Sequence, residues 1–317
     1  MEVSAFTAMA RAEFAQGYLD ALARPFPAAV EKFVTKLPSS ARAETHLFTS
    51  SLPRLKRFFS YTPAARIVSN EYTVYNYPYR AAVTVKRDDI ADDQVGLYMK
   101  LIEGLPSRAQ KDIQEEILKH LAAGKTKKCF DGTNFFDDSH TVGVGDNKLT
   151  YDGTANDAKT FKLIALVCEN SVKPVIFQDR EALTGLQTDA ESPQAAKLKE
   201  YEYWVDSRFG LGYGFWWDGI FMDITDTPKD KEVIEIVETL ISAFRSFKLP
   251  NASADEDSIY VHEGWVPSSE NFVLIADMNL EPRLRTVLSR GEYADGSVLL
   301  THPYKDVATI IGTSALN

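Results

Sequence analysis

The chain has 317 residues, with 35 lysines and arginines against 45 aspartates and glutamates, a formal charge of −10. An apolar share of 44% and a charged share of 25% suit a folded globular chain, long enough to bury a large core without a disulfide or metal staple, as two domains or one with extensions. The acidic balance argues against nucleic-acid binding as the main role, because phosphate contacts need a basic surface.

Cys129 and Cys168 cannot make a disulfide framework and fit a reducing site of synthesis. The start lacks a basic stretch followed by an apolar one, so no secretory signal is expected. The longest apolar runs, such as 163–168, fall far short of a membrane helix.

In chain order, residues 4–22 predict an amphipathic helix, with Phe6, Met9, Ala10, Phe14, Tyr18 and Leu22 near helical spacing, stopped by Pro25 and Pro27. This opening stretch has no core of its own and reads as an arm that must pack on something else. Residues 46–86 read as strands, above all the run YTVYNYPYRAAVTVKR. Within them lies a basic, aromatic segment: Arg54, Lys56, Arg57, Phe58, Phe59, Tyr61 and Arg66. It is either a solvated loop with tucked aromatics or a projecting hairpin that docks on an acidic neighbour, since Arg and aromatic residues anchor interfaces.

Helical spacing returns at 96–123, where Pro106 should kink or divide the helix and Gly124 stop it. Residues 129–160 read as loop. Strands are expected at 161–168, 172–178 and 201–224, the last with glycines that predict bends or bulges. The cleanest amphipathic helix is 229–247. A strand at 272–276, a helix at about 280–290 and a closing strand follow. Without strict βαβ alternation, the fold class is α+β.

The densest polar cluster is CFDGTNFFDDSH, residues 129–140. Cys129, Asp131, Asp137, Asp138 and His140 could form a metal site or a Cys–His pair, the basis of a second reading as a metal-dependent or Cys–His enzyme. The paired spacing of a zinc site is absent, and turns anchored by Phe130, Phe135 and Phe136 are the plainer reading. Gly210, Gly212 and Gly214 resemble a phosphate loop, but such a loop must open a helix, and a strand-like run follows. No other catalytic motif is present, and His46, His120, His262 and His302 are scattered. A third reading, a carbohydrate-binding or accessory protein, rests only on the aromatic run 201–217. The residues therefore predict no catalytic group, cofactor or metal.

Several strings carry a resemblance: PSSARAET (38–45), LPRLKRFF (52–59), YTVYNYPYRAAVTVKRDDIADDQVGLY (72–98), CFDGTNFFDDSHTVG (129–143), VKPVIFQDRE (172–181), GYGFWWDGIFMD (212–223) and FVLIADMNLEPRLRTVLSRGEYADG (272–296). Together they resemble, in order, the major head subunit of Mu-like tailed bacteriophages. The resemblance implies the tailed-phage major capsid fold of the Hong Kong phage type. Its parts would be an N-terminal arm (1–45), an extended β-hairpin loop (46–86), a peripheral domain with a spine helix (87–228) and an axial domain (229–317), the last two able to interleave. It also implies hexamers and pentamers of the chain in an icosahedral head around double-stranded DNA, assembled in the host bacterial cytoplasm. Portal, scaffold and decoration proteins would be its partners, and no membrane. The expected contacts between subunits are Phe6, Phe14 and Tyr18 on the arm and Arg54, Arg57, Phe58, Phe59, Tyr61 and Arg66 on the loop.

Overall fold

The computed structural model describes residues 28–49, 69–86, 88–89, 97–187, 197–249, 259–290, 292–295 and 298–316. The predicted helix at 4–22 and all nine expected contact residues lie outside the described residues.

A short helix α1 (Ala28–Glu31) precedes β1 (Val34–Pro38), β2 (Ala43–Thr49), β3 (Ser69–Tyr75) and β4 (Tyr77–Lys86). The long helix α2 (Leu97–Ala122) follows, then β5 (Lys148–Asp152), β6 (Thr160–Val167), β7 (Val175–Gln187), β8 (Glu200–Tyr213) and β9 (Gly219–Thr225). Helix α3 (Asp230–Ser246) leads to β10 (Lys248–Leu249), β11 (Ile259–Tyr260) and β12 (Phe272–Asp277). Helix α4 (Glu281–Arg290), β13 (Glu292–Asp295), β14 (Val298–Thr301) and β15 (Thr309–Thr313) complete the described chain.

Two sheets organise these elements. The first has the order β1-β7-β8-β4, with β1 parallel to β7 and the other pairs antiparallel. Strand β8 alternates between buried and half-buried positions, the mark of a sheet covered on one face. Helix α2 covers that face: Leu105 and Ala109 pack with Val85, Leu183, Tyr201, Tyr203 and Val205. The second sheet has the order β15-β12-β6-β9-β5. Strand β12 is buried at all six positions, so both faces are covered, as its unbroken apolar run FVLIA requires. Val233, Ile236, Val237, Leu240 and Phe244 of α3 join this larger core at helical spacing.

Some expectations change. Helix α2 runs unbroken through Pro106. It ends in a 3-10 turn at Ala123–Lys125, where Gly124 lies against the ring of Phe136. The expected strand at 201–224 is two strands of different sheets, separated by a 3-10 turn at Trp216–Asp218, because the aromatic side chains turn inward there and all three turn residues are buried. The loop reading of 129–160 missed β5, a short edge strand parallel to β9. Strands β5, β6 and β9 share one sheet with β12 and β15, so a division at 228/229 runs through a sheet.

Candidate functional site at the hairpin root

Strands β2 and β3 form an antiparallel hairpin, in register from Ala43 opposite Tyr75 to Thr49 opposite Ser69. The basic aromatic segment lies between Thr49 and Ser69. The hairpin root crosses the face of β8, and two glycines permit the approach. A Cβ at Gly210 would stand 2.6 Å from the Tyr75 carbonyl oxygen, and one at Gly212 would stand 2.5 Å from Val74 Cγ2. Real side chains do not tolerate such distances, so the G-x-G spacing marks a seat for a crossing backbone. The strand signal was present in the sequence, and what it accommodates was not.

Buried polar groups latch this seat. Gln178 on β7, fully enclosed, accepts through its Oε1 from His46 Nε2 at 2.7 Å. Its amide donates to the Val74 carbonyl and to Asn76 Oδ1. Asn76, between β3 and β4, donates to Ser39 Oγ and the Ala41 carbonyl. Phe48 stacks on Phe130 at 4.8 Å and meets Phe215 edge-on at 5.3 Å. These contacts fix the hairpin root against β7 and β8. Gln178 and Asn76 carried no motif that sequence reading could find.

Behind Phe130 lies the 129–147 elbow. The structure brings Cys129, Asp131 and His140 together, with donor atoms within 4.8 Å of one another. Asp137 stands apart, capping Ser139 and Asn134, and Asp138 is exposed. The Cys129 thiol donates to Asp131 Oδ1 at 3.1 Å, and Thr133 adds its hydroxyl and its backbone N–H. His140 Nδ1 lies 2.8 Å from Asp131 Oδ2, both side chains are enclosed, and the imidazole stacks on Trp216 at 3.8 Å. Burial alone would raise Asp131, but the hydrogen bonds from His140, Thr133 and Cys129 outweigh it and hold the carboxyl well below its usual range. Burial, then the neighbouring Asp131 charge, pushes the Cys129 thiol well above its own range. A protonated buried thiol is a poor nucleophile, and the mutual hydrogen bonds of these residues make them a structural brace. Asn147 ties the brace to β9, its amide donating to the Phe135, Trp216 and Gly219 carbonyls.

A family model described as Mu-like prophage major head subunit gpT matches residues 3–229. The chain belongs to that family. It is 34% identical over 213 residues to the Mu-like prophage FluMu major head subunit of Haemophilus influenzae, covering 64% of this chain and 68% of the relative. It is 28% identical over 218 residues to the major capsid protein of Escherichia phage Mu, covering 65% and 68%. Among solved structures it is similar to the bacteriophage JBD30 capsid (TM-score 0.71, 19% identity, 92% of both chains). The JBD30 procapsid is similar over 98% of this chain and 99% of its own (TM-score 0.70, 24% identity). The fold is the tailed-phage capsid fold, and it extends to the residues beyond 229. A head subunit is a structural protein and not an enzyme. No helix among the described residues is long and apolar enough to cross a membrane.

Proposed function

We propose that copies of this chain join as hexamers and pentamers into an icosahedral shell around double-stranded DNA. The observation that carries this reading is the likeness to a procapsid subunit over 98% of the chain. In this reading the sheet β1-β7-β8-β4 with α2 forms the peripheral domain, to which the arm lends β1 and the extended loop lends β4, and the five-stranded sheet with α3 and α4 is the axial domain. Residues 1–45 act as the arm and 46–86 as the extended loop. Phe6, Phe14 and Tyr18 bury the arm's apolar face on a neighbour. Arg54, Arg57, Phe58, Phe59, Tyr61 and Arg66 meet an acidic surface of the next copy, a heterologous contact of the kind that closes rings. The charge of −10 suits a container, because a basic wall would hold DNA at every phosphate and hinder its passage inward.

Assembly takes place in the host bacterial cytoplasm, with portal and scaffold proteins as partners. A JBD30 capsid structure is decorated with minor capsid protein trimers, and a corresponding decoration protein is part of this proposal. Light scattering with negative-stain electron microscopy on the full-length protein, alone and with its neighbouring head proteins, tests the reading. Rings of five or six, or closed shells, are expected. A strictly monomeric protein under both conditions overturns it.

A further inference from the structure

We propose that a cavity between the hairpin root and the end of α2 receives the acidic run at residues 88–93 of a second copy of this chain. The inference rests on the shell-building reading and adds a specific contact to it.

The cavity measures about 310 Å³, the size of a small ligand site. Strand β3 walls one side and the last turns of α2 the other, with Lys127 and Lys128 at the rim. Lys119 is occupied by Glu116 at 2.8 Å. Lys127 and Lys128 are exposed, and among the described residues no carboxylate pairs with either. Tyr75 and Tyr77, 53% and 60% exposed, add hydroxyl donors and aromatic surface at the mouth. His120 forms part of the wall, stacked on Tyr213 at 4.3 Å, and burial with the nearby Lys127 pushes it down to about 3. It is therefore neutral, and the unpaired positive charge comes from the two lysines.

The chemistry calls for carboxylates. Asp88, Asp89, Asp92 and Asp93 place four within six residues, and Asp88 and Asp89 are exposed. A copy cannot fill its own cavity this way. The cavity is at the Tyr77 end of β4, whereas Asp88 follows just after Lys86 at the other end, roughly 30 Å away at the usual strand rise. Helix α2 gives the same answer, with its last turns at the cavity and about 39 Å to its start. A pocket and its complement at opposite ends of one subunit make a head-to-tail contact, which closes into a ring when the rotation allows. Copies that each carry −10 repel in general, so a local basic site fixes where they can meet.

The test is a charge exchange in the full-length chain, read by light scattering and electron microscopy, with circular dichroism to verify folding. Lys127→Glu with Lys128→Glu should raise the concentration needed for assembly by about tenfold at low salt, and Asp88→Lys with Asp89→Lys should do the same. Combining all four should restore assembly to within about threefold of the wild type. Lys127→Gln with Lys128→Gln, a milder change, should fall between. Wild-type assembly by either folded charge-reversal variant overturns the inference, as does failure of the combined variant to recover. Loss of DNA binding by the lysine variant with normal assembly also overturns it, assigning the pocket to phosphate. Failure of the wild type to assemble at all counts instead against the shell-building reading.

Discussion

The two sheets of this protein bury the same kinds of residue in different ways. In the five-stranded sheet, β12 is enclosed at every position and β9 at most of them. In the four-stranded sheet, β8 alternates and β4 is largely exposed along its first four residues. The first is a closed core that holds itself together. The second is a platform, covered by α2 on one face and crossed by the hairpin root near Gly210 and Gly212. The larger apolar core lies with the closed sheet, and the proposed contacts with other copies sit on the platform.

The largest loss of stability is expected at the elbow joining the two. Asp131→Ala would strip an enclosed carboxylate from Cys129, Thr133 and His140, and should cost about 3–5 kcal/mol in chemical denaturation. Since Asp131 is held below its usual range, its contribution is full above about pH 4 and is lost as pH falls further. In the closed sheet, Leu274→Ala should cost about 2–5 kcal/mol. A loss under about 1 kcal/mol would mean that this sheet is not the stable core.

Asp218 works in the opposite direction to Asp131. Burial raises it from 3.8 to about 8, even though Asn170 donates to both of its oxygens. Between those two values only the folded chain holds the proton, so stability falls as pH rises through that window, by at most about 1.4 kcal/mol per unit. Above about 8 the slope vanishes. Asp218→Asn should flatten unfolding midpoints measured from pH 4 to 8, and an unchanged slope would assign the dependence to other groups.

On the platform, Gly212→Val places a side chain against Val74. It should lower stability by about 1–3 kcal/mol while abolishing assembly, a disproportion that a purely structural seat would not produce. The smallest effect is expected at Thr84, exposed on β4, where alanine should change stability by less than about 0.5 kcal/mol.

Much of this architecture was legible in the residues alone. Periodicity located α2, α3 and α4 to within a residue or two, because an amphipathic helix declares its buried face every third or fourth residue. Composition argued against nucleic-acid binding as the main role and against a disulfide scaffold, and the ordered motifs pointed to the head-subunit family. Other features depended on distant partners. The run 201–224 looked continuous, but its two halves pair with different strands, and pairing is non-local. The glycines of β8 signalled a close approach without naming Val74 and Tyr75, which lie over a hundred residues earlier. Gln178, Asn76 and Asn147 left no pattern, because an enclosed amide is recognised only by the carbonyls it satisfies. Cys129, Asp131 and His140 had the residue types of a reactive site, and only their burial and mutual hydrogen bonds made them a brace.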